Sequence, residues 1–276
     1  MTTIALLGAG GKMGLRITDR MRDSEYTMRY VEINPAGQER LRARGVDVMP
    51  QAAALADADV AIMALPDALI GRLAPEIVAP LKPGAMVICL DPAAPMAGQL
   101  PPRDDITYFI THPCHPPVFN DETDLEARHD YFGAIKARQH IVCALMQGPE
   151  EDYERGVAIA RLMFAPVMRA HRVTAEQMAI LEPALSETLA ATCITIIREG
   201  LDEAVRRGVP AEAARDFLLG HINIELAIVF GEVGSPFSDG AIKAIEQAKG
   251  VLFKPDWKRI FEPEEIQRSV NDIAGV

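Results

Sequence analysis

"IALLGAGGKMG", residues 4–14, decides the fold. A short apolar run, Thr3–Leu7, ends in glycines, and Lys12–Arg22 continues with helical spacing. Glycines at such a junction permit a tight turn and let the backbone approach a pyrophosphate, which sits at the N-terminus of the following helix. The G-x-G-x-x-G spacing can be laid on this stretch in two ways. Gly8 and Gly10 fit its start, with Gly14 one residue late; or Gly11 and Gly14 fit its end, with Ala9 in place of the first glycine. Gly8, Ala9, Gly10, Gly11, Lys12, Met13 and Gly14 are accordingly the expected cofactor-binding residues.

Outward from this loop, short apolar runs alternate with helical patterns. Strands are expected at Met28–Val31, Asp59–Leu65, Ala85–Leu90, Ile106–Ile110 and His140–Met146, and helices at Pro35–Ala43 and Ala68–Val78. That alternation predicts a Rossmann-type doubly wound parallel sheet with helices on both faces. Glu32 ends the second strand at the distance where the fingerprint expects an acid for the adenosine ribose. Its carboxylate would repel a 2′-phosphate, and Ile33, Asn34 and Pro35 offer no arginine to receive one. NAD is therefore expected over NADP. Pro66 follows the third strand, on the edge where cofactors bind.

From residue 150 the pattern changes. Glu150–Phe164, Ala175–Arg207, Ala211–Phe230, Asp239–Val251 and Glu264–Ile273 have helical spacing, and only Val167–Val173 looks strand-like. This predicts two domains: residues 1–149, binding NAD, and residues 150–276, a mainly helical part for substrate and dimerisation.

Composition narrows the function. A net charge of −11 without any Lys/Arg run argues against nucleic acid or an acidic membrane as partner. No apolar run reaches the roughly 18 residues of a membrane span. Four scattered cysteines and an N-terminus that runs straight into a strand fit the reducing cytoplasm.

"THPCHPPVFNDET", residues 111–123, leaves the strand that ends at Ile110. In an open α/β sheet, ligands bind outside the carboxyl ends of the strands. A polar segment stiffened by three prolines is thus expected over the nicotinamide end of the cofactor. His112 is the first candidate for acid–base catalysis and His115 the second, with Asn120, Asp121 and Glu122 facing the hydroxyls of a polyol. In "MAILEPALSETL", residues 178–189, Pro183 interrupts a long helix and can aim the preceding Glu182 inward. Ser186 shares its helix face. His221, in the apolar helix 211–230, is a further substrate-binding candidate. His112 and Glu182 are also candidate ligands of a divalent metal, zinc or magnesium.

Together with the glycine loop, "YFITHPCHPPVFNDET" (108–123), "QHIVCALMQGPE" (139–150), "APVMRAHRVT" (165–174), "QMAILEPALSET" (177–188), "ARDFLLGHIN" (214–223) and "WKRIFEPEEI" (257–266) resemble the D-apionate oxidoisomerase family. The resemblance runs through nearly the whole chain, and the His-Pro-Cys-His-Pro-Pro segment is its most specific part. It implies an NAD-dependent enzyme that converts D-apionate to 3-oxo-isoapionate, a sugar acid of branched-sugar catabolism. The wider superfamily includes 6-phosphogluconate dehydrogenase and ketol-acid reductoisomerase, in keeping with a homodimer. His112-Pro113 is also similar to a His-Pro of prephenate dehydrogenases. A plain hydroxyacid or prephenate-like dehydrogenase is therefore the alternative reading, and a cofactor-sensing protein without turnover a third.

Overall fold

The computed structural model describes residues 1–276. Its first part runs β1 (Thr3–Leu7), α1 (Lys12–Met21), β2 (Thr27–Val31), α2 (Pro35–Arg42), α3 (Gln51–Leu55), β3 (Val60–Met63), α4 (Asp67–Val78), β4 (Met86–Cys89), α5 (Ala93–Met96), β5 (Thr107–Pro113), α6 (Leu125–His129), β6 (Gln139–Gln147), α7 (Glu151–Met163) and β7 (Val167–Arg172). α8 (Ala175–Ala179), a π-helical segment (Ile180–Ala191) and α9 (Thr192–Arg206) follow without a break. α10 (Ala211–Val229), α11 (Asp239–Leu252), a 3₁₀ turn (Trp257–Phe261) and α12 (Pro263–Ala274) complete the chain.

The seven strands form one sheet in the order β2-β1-β3-β4-β5-β6-β7, parallel except for the antiparallel pair β5–β6. Chain order reverses between β1 and β3, the switch point where a dinucleotide binds in such sheets. The central strands are buried on both faces. Ala5, Leu7, Ala61, Met63, Val87 and Ile110 join one apolar cluster; Ile4, Leu6, Ile62, Ile88 and Phe109 join the other. This is why these strands read as unbroken apolar runs.

The compact units do not divide at residue 149. One unit comprises Met1–Pro183 with Ile266–Val276; the other comprises Ala184–Glu265. α7 and β7, expected in the helical half, complete the sheet unit instead. β7 pairs in parallel with β6 through Gln139↔Val167 and onward. Gly156 brings α7 onto the Phe109 ring, which a Cβ there would approach to 2.5 Å. The helical period of residues 151–163 is real, but it does not reveal which unit their apolar face covers.

β5 is also longer than expected. It pairs with β4 only as far as Cys89↔Ile110 but with β6 as far as Pro113↔Ile141, so His112 lies in a strand and not in the loop beyond it. The long helix expected at 175–207 is interrupted, as Pro183 suggested, by a π-helical segment that contains the proline. The helix Ala175–Arg206 is long enough to span a membrane, and an 18-residue window of it has a mean hydropathy of 1.4, with 11% of that window buried. The acids spaced along it, Glu182 and Glu187, hide that property from a search for unbroken apolar runs.

Candidate functional site

The glycine loop is tied to the carboxyl end of β2, where Gly8 and Ala9 donate N–H bonds to the Val31 carbonyl at 2.9 and 3.1 Å. Gly8 adopts φ +74° and packs on the Ala64 backbone; a side chain is excluded there on both counts. A Cβ on Gly14 would lie 2.1 Å from the Gly8 carbonyl oxygen, so Gly14 allows α1 to close on the turn. Gly11 caps α1, and its missing side chain would meet only the Gly8 oxygen, at 3.2 Å. The register that ends on Gly11 and Gly14 therefore matches the roles of the fingerprint: backbone exposure at the second glycine and close helix packing at the third. Lys12 and Met13 open α1. Pro66 immediately precedes α4, and the side chain of its neighbour Leu65 lies against Gly8.

At the end of β2, Glu32 accepts N–H bonds from Gly10 (2.9 Å) and Asn34 (2.8 Å). A cavity of about 440 Å³ opens beside it, lined by Val31, Ile33, Gln38, Val48 and Met49 among others. Its mixed walls, with Val31 and Val48 beside Gln38 and the Glu32 carboxylate, suit an adenosine.

Across the switch point, β4 and β5 deliver the second constellation. Asp91 lies two residues beyond β4, and His112 near the end of its neighbour β5. Glu182 joins them from the π-helical segment. One ligand atom from each of the three lies within 4.8 Å of the others. His112 donates from Nδ1 to the Leu90 carbonyl at 2.8 Å, which fixes its neutral tautomer and leaves the Nε2 lone pair free. Nε2 stands 3.6 Å from Glu182 Oε2, while Asp91 Oδ2 is 3.7 Å from Nδ1. Burial pushes the Glu182 carboxyl above its ordinary range; His112 opposes this and Asp91 adds to it. A half-buried acid, an imidazole and a second acid thus meet on the cofactor edge, a set of groups able to exchange protons.

His115 also faces this group. Its ring meets that of His112 edge-on, with centroids 6.3 Å apart, and its Nδ1 donates to the Phe132 carbonyl at 3.0 Å. The polar residues of the loop bond largely within it. Asn120 bonds the Pro117 carbonyl and the Glu122 N–H, and Glu122 is paired with Arg138 through both its N–H and its guanidinium. Both side chains shape the loop, and Asp121 is exposed beside them. Ser186 and His221 belong to the helical unit. His221 is exposed there, stacked on Phe217 with centroids 4.0 Å apart.

Asp91 escaped the sequence reading. Its signal was present: an acid just past an apolar strand, on the edge where His112 was sought.

Residues 120–274 match the family described as phosphogluconate dehydrogenase (decarboxylating) C-term. The D-apionate oxidoisomerase of Rhizobium rhizogenes (strain K84) is 54% identical over 99% of this chain and 100% of its own. That of Cupriavidus necator (strain N-1) is 52% identical over 98% and 99%. Among solved structures, a semialdehyde dehydrogenase NAD-binding protein from Cupriavidus necator, in complex with calcium and NAD, superposes with a TM-score of 0.97. It is 52% identical and covers 99% of each chain.

Proposed function

We propose a reaction for this site from one premise: the chain belongs to the D-apionate oxidoisomerase family. It is an NAD-dependent oxidoreductase. We infer that its substrate is D-apionate and its product 3-oxo-isoapionate. The reaction joins oxidation at C2 to an α-ketol rearrangement, in which a hydroxymethyl group migrates from C3 to the new ketone. NAD, when bound, accepts the hydride that leaves C2. His112 takes the proton of the C2 hydroxyl on Nε2, because its Nδ1–H is held by Leu90. Asp91 Oδ2 lies 3.7 Å from Nδ1, on the other side of the ring. Glu182, made more basic by burial, takes the proton of the tertiary C3 hydroxyl, and as the C3–CH2OH bond breaks and the C2–CH2OH bond forms, His112 returns its proton to the C2 oxygen. His115 stands next to both as the second imidazole. The observation that carries this reading is the convergence of Asp91, His112 and Glu182 on the edge that also holds the glycine loop.

As an alternative to these acid–base roles, the same groups suit a divalent cation, which would occupy the lone pairs that otherwise accept protons. His112 Nε2 and Glu182 Oε2 both present lone pairs across 3.6 Å, too far for a hydrogen bond but suited to two ligands of one ion. A histidine whose other nitrogen donates to a main-chain carbonyl is the usual arrangement of a metal ligand. A zinc or magnesium ion held there would stabilise charge on two adjacent substrate oxygens.

D-apionate and NAD should yield NADH absorbance together with a product whose carbon skeleton has rearranged by mass spectrometry. NADH without rearrangement would leave a plain dehydrogenase; turnover of other hydroxy acids but not D-apionate would sink the substrate assignment.

We further propose a homodimer formed through the helical unit, working in the cytoplasm. Its only buried residues are Ala184, Ala214 and Ala227, whereas Ile194, Phe217, Val229, Phe230, Val251 and Leu252 are each more than 60% exposed. α10 and α11 line an apolar groove of about 1130 Å³. A second copy supplies a matching apolar helix face for each groove, as a two-fold interface requires. Sedimentation should give twice the 30.1 kDa of one chain; a monomer would refute this. All four cysteines are free, in keeping with a reducing compartment.

A further inference from the structure

Arg40, on α2, points both nitrogens of one guanidinium edge at the Gly10 carbonyl, Nε at 3.0 Å and Nη2 at 2.8 Å. Glu32 holds the N–H of the same glycine at 2.9 Å. Acid and base thus grip one residue of the cofactor loop from its two ends, yet they form no ion pair with each other. The neighbouring arginines on this stretch are paired, Arg42 with Glu39 and Arg44 with Asp19, whereas Arg40 meets no carboxylate. Two glycines make the arrangement possible. A Cβ on Gly10 would lie 2.6 Å from the Gly37 backbone, and a Cβ on Gly37 would lie 2.6 Å from Glu32 Cδ. An arginine has five donors, and the Gly10 carbonyl engages two of them. An unneutralised guanidinium with donors to spare therefore stands beside the carboxylate at the adenosine end of the loop.

We propose that Arg40 is a second determinant of cofactor choice, masked by Glu32: it is a ready receptor for a 2′-phosphate that the Glu32 carboxylate keeps out. The sequence around the acid conceals this, because Arg40 follows it by two turns of helix and not by one or two residues. The proposal rests on the adenosine ribose lying at Glu32. Arginine forks hold phosphate by charge-assisted hydrogen bonds, and a carboxylate in front of the fork cancels their attraction.

Calorimetry with 5′-ADP and 2′,5′-ADP isolates this end of the cofactor without turnover. The unmodified protein should bind 5′-ADP more tightly. Glu32→Ser should strengthen 2′,5′-ADP binding by about 10–100-fold, the scale of one or two charged hydrogen bonds. Adding Arg40→Met should remove most of that gain and leave 5′-ADP affinity within about threefold. Arg40→Lys in the same background should keep part of the gain, because the charge remains without the fork. If Glu32→Ser leaves both ligands unchanged, the ribose does not lie at Glu32 and the underlying placement fails. If Glu32→Ser admits 2′,5′-ADP equally with and without Arg40, the placement stands and the role of Arg40 is refuted. Equal loss of both ligands in the double variant would refute it too, by showing that Arg40 only braces the loop.

Discussion

Phe109, at the centre of the sheet unit, is fully buried; Phe217, midway along α10, is 70% exposed. The contrast extends to their surroundings. Two apolar clusters sandwich the sheet, and Phe109 lies under α7 against Tyr153. Phe217 is stacked only on His221 of its own helix. Helices gain most of their stability from packing an apolar face and not from propensity. The sheet unit satisfies that need within itself, and the helical unit leaves it unmet. Chemistry follows the same division: Asp91, His112, Glu182 and the glycine loop all lie in the sheet unit, where burial holds side chains in one geometry.

The largest expected effect lies at the site. His112→Ala should lower turnover by about 10²–10⁴-fold while NAD affinity, read by fluorescence titration, stays close to that of the parent. A loss of only a few-fold would reduce His112 to a structural residue.

The comparison itself is tested by truncating one phenylalanine in each unit. Phe109→Ala should cost about 3–5 kcal/mol, as full burial dictates, and the loss in urea unfolding should not vary with protein concentration. Phe217→Ala should cost less than about 0.5 kcal/mol in the dissociated chain, as exposed positions do. Its larger effect should appear as weakened self-association on dilution. Concentration-independent losses of similar size at both positions would mean that the helical unit is self-sufficient after all.

Glu182→Gln keeps size and hydrogen bonding and removes the charge. If the acid holds a cation, elemental analysis should show the metal lost, and chelators should inactivate the parent. If it is a base, metal content should be unchanged while the rate falls. Unaltered rate and metal content together would dismiss Glu182 from the site.

The smallest effect concerns His140, whose ring meets that of His171 with centroids 5.5 Å apart across β6 and β7. Burial, then His171 and Arg169, lowers its pKa below the ordinary 6.5. The unfolded chain therefore takes up a proton near 6.5 that the folded chain refuses until lower pH. Its contribution to stability is full above 6.5 and declines as the pH falls below it. The thermal midpoint of His140→Phe should accordingly fall less than that of the parent between about pH 7.5 and about pH 5.5, roughly one unit either side of the free histidine pKa. Parallel curves would show that the imidazole is not disfavoured.

Much of the sheet unit was legible in the chain. The glycine junction at 8–14, the acid ending β2 and the buried runs at 3–7, 60–63 and 86–89 are local signals, each set by backbone freedom or by strands covered on both faces. The placing of α7 and β7 was not legible, because helical period reports that a face is buried and not what buries it. The edge rule drew attention to His112 but not to Asp91, one strand earlier, which the fold brings beside it. The loop-internal bonds of Asn120 and Glu122 were not legible either, because polar residues on a loop look alike whether they serve the loop or a ligand.

By itself the sequence determined the alternation of strand and helix, the dinucleotide loop, the acid that ends β2 and, through its whole-length resemblance, the family. Those properties depend on neighbours in the chain or on residue identity alone. Only the tertiary structure decided that Asp91, His112 and Glu182 meet within 4.8 Å, that His112 offers Nε2, and that Arg40 stands unpaired beside Glu32. These facts join residues tens of positions apart, or depend on which carbonyl a side chain finds. Distance in space and the partner of each hydrogen bond emerge only when the elements pack.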